Sequence, residues 1–586
     1  MEVEAYAKFI DEAFLRPIRS VLIVDDDYPT FDEVLNAEIV VKDGQEPGRT
    51  KGWYANPERI KRVIDRFRGK DRPLLVDIHD GSNVTVGEDA EIAAHLHQSD
   101  LLVLDYSLDP ANRGDGSRAL SIVRGLTDSP HFNMVVVHTS EPLDGVFRDT
   151  LLSLLRPLGQ CLSETERATA NDFLFEAETA QEGIEARLIA SIGDSQYMEA
   201  RRRPSFARDA VRGVEPFGQF KVECDLVRWR GDARLVVLKR LLELADDRLA
   251  PKMTFPGELD VIWSAGAVRF IRTDSVFVAF SNKQDEDDLI DELKHALVAS
   301  APEPSRLFHA KLRAEMDEIG TIAQRTALEN RFALAHWYNE LLSADGARRK
   351  WLVASSVARH AEQLLAGILP GVQRFAERLV EAEGDGDTAA LGKAYFGVDL
   401  ANEAAKRRAE REHNAYVSSR PVTGWHLSTG QIFTLGDDYW ICLSPACDMV
   451  PGQLSHEKQA RLGNWLPFTA VRLVNVAADR VIDDVSSNRY LFLKGVDDVR
   501  TFCFNDPTRD TSAPAWYTMY AAALGSLSED FRFRVALPTR EAEGEGLVSA
   551  THDAVVVAQL RYEYALSLMH RIGGSQTRVG LDYAGG

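Results

Sequence analysis

Short apolar runs recur along the first third of the chain, each closed by polar residues. Val21-Leu-Ile-Val24, Pro73-Leu-Leu-Val-Asp-Ile78, Leu101-Leu-Val-Leu104 and Met134-Val-Val-Val137 have the length and near-continuous hydrophobicity of strands buried on both faces of a parallel sheet. Helical periodicity lies between them. Ile60, Val63, Ile64 and Phe67 recur at i, i+3, i+4 and i+7 over 57–67, residues 88–98 carry a second helix, and Gly116 opens a third through Leu120, Ile122 and Val123. Strand and helix alternating at this rhythm predict a doubly wound parallel sheet over residues 1–200.

The pattern then changes. Residues 201–302 predict a small α+β domain: a helix over 233–249, three short strands at 259–263, 268–271 and 275–280 arranged as an antiparallel meander, and a helix over 285–298. Residues 303–415 are almost all helical, with a polar break at 381–387 and a charged, stripe-free helix at 404–412. Residues 416–586 are β-rich and barrel-like, with strands at 430–433, 439–443, 470–474 and 490–493, a closing amphipathic helix at 554–572 and a final strand at 577–583. The fold class expected is therefore a multidomain α/β and α+β protein.

Composition narrows the setting. The 586 residues carry a formal net charge of −22, which argues against broad binding to a phosphate backbone and so against a nucleic-acid partner. Arg201-Arg202-Arg203 is the densest basic run and reads as a solvated linker. No apolar run reaches the ~20 residues of a membrane span. Met1-Glu-Val-Glu-Ala-Tyr6 has neither the basic nor the apolar region of a secretory signal. The five cysteines are scattered and lack CxxC spacing, so a cytoplasmic protein with free thiols and no zinc module is expected.

The chemistry sits where the buried strands end, since open α/β sheets place their sites at the carboxyl edge. The first strand delivers Asp25, Asp26 and Asp27, which repel one another unless a cation or donor cluster neutralises them. The third delivers Asp105 and the fourth His138-Thr139-Ser140. These three motifs, in this order, resemble the receiver domain of two-component response regulators over roughly residues 18–195.

The resemblance implies a flavodoxin-like fold and a phosphoryl group accepted on Asp105 from a histidine kinase. It implies Mg²⁺ held by Asp26 directly, by Asp25 indirectly or through water, by Asp105, and by the backbone carbonyl of Ser107. Thr139 would donate its hydroxyl to the phosphoryl group; capping of the following helix is the alternative for this residue. Receivers also carry a Lys at the end of the fifth strand. The strand expected at Asp172-Phe-Leu-Phe175 is followed by Glu176, which would repel a phosphoryl group and leave a pseudo-receiver that serves as a scaffold.

The overall layout is similar to accessory receiver proteins of Detocs-type bacterial anti-phage defence. That similarity implies a protein-interaction or phosphate-buffering output, with other receivers as further partners. In the last region, Cys447, Asp448 and His456 are candidates for thiol catalysis, with a structural turn as the alternative.

Overall fold

The computed structural model describes residues 3–30, 33, 57–69, 73–81, 99–109, 112–159, 162–202, 206–283, 288–384, 386–477, 481, 489–495, 498–505, 514–540 and 546–576. The expected helix at 88–98 and the final strand at 577–583 lie outside these. Two compact units divide the chain, Met1–Asp317 and Glu318–Gly586.

The first unit is built on one sheet. Strands β1 (Ser20–Val24), β2 (Leu75–His79), β3 (Leu101–Leu104) and β4 (Asn133–Thr139) fall where the apolar runs predict them. A hairpin of β5 (Ile262–Ala265) and β6 (Arg269–Arg272) precedes β7 (Val276–Asn282), and the order across the sheet is β2-β1-β3-β4-β7-β6-β5. The first five strands in this order pair in parallel and the last two antiparallel. Every residue of β3 and β4 is buried, as a central strand covered on both faces requires. Asp100, which opens the run into β3, accepts the backbone N–H groups of Arg19 and Ser20 at 2.8 and 2.9 Å and so ties β3 to the start of β1.

This arrangement corrects two expectations. The three strands at 259–280 do form an antiparallel meander, but β7 pairs with β4 over seven positions. The meander therefore belongs to the parallel sheet and does not start a separate domain. Asp172-Phe-Leu-Phe175 is no strand: it lies inside the helix Glu164–Ala180, opened by a capping box of Ser163 and Glu166. Ala170, Leu174 and Ala177 are its buried residues and recur at helical spacing, while Phe175 is 73% exposed, so the period is that of a helix and not of a strand.

Between the helix Leu143–Ser153 and β5 lies an inserted set of helices, chiefly Glu164–Ala180, Ile184–Ala190, Asp194–Arg202, Gly218–Leu226 and Asp232–Leu249. Its apolar side chains, Tyr197, Phe217, Phe220 and Leu238 among them, are continuous with the sheet's core at Val137, Phe147 and Phe280. Arg201 and Arg202 are not linker residues but close the helix Asp194–Arg202; Arg201 donates to the Arg156 carbonyl at 2.7 Å and Arg202 pairs with Glu199. Two buried acids of Asp232–Leu249 anchor the strand of chain that leads into the insert. Asp246 accepts the N–H groups of Leu158 and Gly159 at 3.0 and 3.1 Å and bonds the Tyr197 hydroxyl, while Glu243 accepts the Leu162 N–H at 2.9 Å and pairs with Arg167.

The second unit holds helices and a barrel. Gly346–Glu383 runs for 38 residues with Pro370 inside, and Thr388–Phe396 and Glu403–Ser418 follow. Strands β8 (Ser419–Arg420), β9 (Gln431–Leu435), β10 (Asp438–Cys442), β11 (Leu466–Asn475), β12 (Tyr490–Lys494), β13 (Val499–Cys503), β14 (Trp516–Ala521), β15 (Arg532–Arg540) and β16 (Leu547–Leu560) make up its sheet. The order β10-β9-β16-β15-β14-β11 closes through the β10–β11 pairing into a six-stranded barrel, with β8, β12 and β13 outside the ring. Phe433, Phe468, Met519 and Val535 fill its core. The closing helix is shorter than expected, Tyr562–Gln576, because β16 occupies Ala554, Val556 and Leu560. Its run of valines at 555–557 suits a pleated ladder between β15 and β9.

Removing the Asp246 carboxylate takes the acceptor from the buried Tyr197 hydroxyl and unties two backbone N–H groups at the mouth of the insert. Asp246→Ala is expected to lower the unfolding free energy by about 3 kcal/mol in urea titration. A loss below about 1 kcal/mol would show that this acid does not anchor the insert.

Candidate phosphoryl and metal site

Parallel register brings four strand ends to one edge. Val24 of β1 pairs with Leu104 of β3, Leu104 with Val137 of β4, and Thr139 with Asn282 of β7. Asp25, Asp105 and Lys283 each follow the last residue of a strand, and Thr139 ends its own. Backbone bonds extend the ladder past these ends: Asp105 N–H donates to the Val24 carbonyl at 2.8 Å, and Lys283 N–H to the Thr139 carbonyl at 2.8 Å.

Lys283 Nζ lies 2.7 Å from Asp25 Oδ2 and 2.6 Å from Asp105 Oδ2. All three side chains are buried, at 7% exposure for the lysine. Glu176 does not hold this position. It belongs to the helix Glu164–Ala180 in the insert, and the lysine expected at the end of the fifth strand arrives 178 residues after Asp105. The signal that could have found it is the run Val276-Phe-Val-Ala-Phe280, apolar at consecutive positions as only a strand covered on both faces would be.

Carboxylate oxygens of Asp25, Asp26 and Asp105 lie within 4.8 Å of one another. Asp27 is exposed and outside the group; its N–H donates to Asp25 Oδ1 at 2.9 Å. Among the described residues three carboxylates face a single ammonium, so negative charge remains in a largely dry setting. Burial, then the neighbouring Asp25 and Asp27, push the Asp26 carboxyl up to about 6. Asp25 is also raised, chiefly by burial, with Lys283 acting against the shift. Burial alone would lower Lys283, but the carboxylates of Asp25 and Asp105 outweigh it and hold the ammonium charged. A hard, oxygen-seeking divalent cation fits this donor set: the charge is right, the ligands are all oxygens, and half-buried Asp26 leaves a side open for water.

Thr139 is fully buried, and its Oγ1 accepts the Glu141 N–H at 3.2 Å. The following helix takes Pro142 as its N-cap, so Thr139 is not the capping residue. Gly116, placed after the loop that follows Asp105, is required by close approach: a Cβ there would lie 2.1 Å from the Tyr106 ring. Cys447 and Asp448 sit in a single turn, Ala446–Met449, with the thiol Sγ donating to the Asp448 carboxylate at 3.6 Å. His456 opens the helix His456–Leu462, and among the described residues no hydrogen bond joins it to Cys447.

Residues 17–182 match the response receiver domain family. The N-terminal region of the chain therefore carries a receiver domain, and the match ends before β7 and Lys283. No curated protein and no solved structure matches the chain. Among the described residues no helix is long and apolar enough to cross a membrane.

Because a metal needs the carboxylate form of Asp26, its binding must weaken as this group protonates. Without metal the raised pKa works the other way, stabilising the fold as pH falls from neutral through about 6. Millimolar Mg²⁺ is therefore expected to raise the melting temperature near pH 7.5, and the gain is expected to vanish near pH 5. An equal gain at both pH values would contradict the assignment of Asp26.

Proposed function

We propose that this receiver-bearing chain is a phosphorelay signalling protein in which Asp105 accepts a phosphoryl group from a histidine kinase. One observation carries the reading: Lys283 bridges Asp25 and Asp105 at the carboxyl edge of the sheet. The Asp105 carboxylate attacks phosphorus, a P–O bond forms, and the bond to the donor's nitrogen breaks with its electron pair leaving on the donor. Lys283 already touches the attacking carboxylate of Asp105, so it can follow the new phosphoryl oxygens with little motion. Asp25, Asp26, Asp105 and the Ser107 carbonyl would hold Mg²⁺, which supplies charge neutralisation as the phosphoryl group moves. Thr139 supplies a neutral hydroxyl donor to the anion.

The receiver's own phosphorylation and dephosphorylation are then its only chemistry, and the output is a regulatory contact or a phosphate-buffering role without nucleic acid. The scaffold alternative rested on a glutamate in the lysine's place. With Lys283 beside Asp105 that support is gone. For Cys447, no hydrogen bond to the base candidate His456 is present among the described residues.

Acetyl phosphate with Mg²⁺ is expected to add about 80 Da, one phosphoryl group, by intact mass, and Asp105→Asn to abolish the adduct. Lys283→Met is expected to slow labelling about 100-fold, the scale of losing one charged donor to a developing anion. Glu176→Ala is expected to label at the wild-type rate. A full-length chain that stays unlabelled while a control receiver is modified sinks the proposal.

A further inference from the structure

The helix Leu143–Ser153 begins four residues after Thr139, and its polar side chains hold the insert. Lys252, from the turn after Asp232–Leu249, meets Asp149 Oδ1 at 2.8 Å. Arg148 lies 3.3 Å from Asp194, which Arg248 also pairs at 2.9 Å. On its other side Asp149 accepts the hydroxyl of Tyr106, the residue directly after Asp105, at 3.3 Å. The Tyr106 ring is buried against Gly116, so its hydroxyl has little freedom to find another partner. One acid thus faces the acceptor loop and the insert together.

We infer that Tyr106, Asp149 and Lys252 form a coupling that carries the state of Asp105 into the inserted helices, making the insert a readout of the receiver. The inference rests on Asp105 as phosphoacceptor. A phosphoryl group places new negative charge one residue from Tyr106 and recruits Thr139, whose loop leads into Leu143–Ser153. The Tyr106–Asp149 bond is at the long end of hydrogen-bonding distance, so a small shift of either element makes or breaks it. Asp149 then redistributes between the tyrosine and Lys252, and the contact with the insert tightens or loosens with it.

The test is hydrogen–deuterium exchange on the full chain with Mg²⁺, with and without acetyl phosphate, with intact mass taken on the same samples. In the wild type, labelling of Asp105 is expected to change exchange about threefold in peptides covering 194–202 and 232–252. Tyr106→Phe keeps the ring against Gly116 and removes only the hydroxyl; it is expected to label normally and lose the exchange response. Lys252→Ala is expected to do the same from the other end. Labelled wild type with unchanged exchange in the insert overturns the coupling and leaves the phosphoacceptor reading standing. An unaltered response in both variants also overturns it. Absence of label overturns both readings.

Discussion

One buried ammonium between two buried carboxylates organises the first unit. Lys283 meets Asp25 and Asp105 at hydrogen-bonding distance in a place where none of the three could be charged alone without a large desolvation cost. Each strand that reaches this point must end at the right level, so the pairing constrains the register of β1, β3, β4 and β7 together. A slip of one residue in any of them would turn its terminal side chain to the other face of the sheet. The metal and phosphoryl chemistry proposed for the edge needs the same alignment, which is why fold and site stand or fall together here.

The insert is the chain's departure from a plain doubly wound sheet. It enters after Leu143–Ser153 and returns as the β5–β6 hairpin, so the lysine strand lies against β4 in space although far from it in sequence. Closing a longer loop costs only slowly more entropy, and the insert offsets that cost by sharing the sheet's core. The hairpin also covers the side of β7 that would otherwise be a sheet edge, with β6 paired along it.

Much of the sheet and all of the candidate site but its lysine are legible in the sequence, and the reason is local. β1, β3 and β4 are short apolar runs that end in the very residues of the site, so composition, strand and chemistry coincide at Asp25, Asp105 and Thr139. The strand that carries Lys283 is legible as an apolar run, but it is the last of an antiparallel meander, and its pairing with β4 is a fact of space that no local pattern records. Glu176 stands in the lysine's place in the sequence because the aromatic and aliphatic residues of its helix imitate a short strand. The same ambiguity misplaced the last helix, where Ala554, Val556 and Leu560 satisfy a helical stripe but are claimed by the ladder between β15 and β9.

This geometry makes the receiver's completion depend on the insert. Strands β1 to β4 lie within the first 139 residues, ahead of the insert. Among the described residues, the ammonium that meets Asp25 and Asp105 comes only with β7. That strand follows the insert, whose incoming chain is anchored by Asp246 and Glu243. Contacts of such long sequence separation form late, because their loop entropy must be met before they contribute. Damage to the insert would therefore reach the proposed phosphoryl site by withdrawing its lysine, without touching any acid of that site.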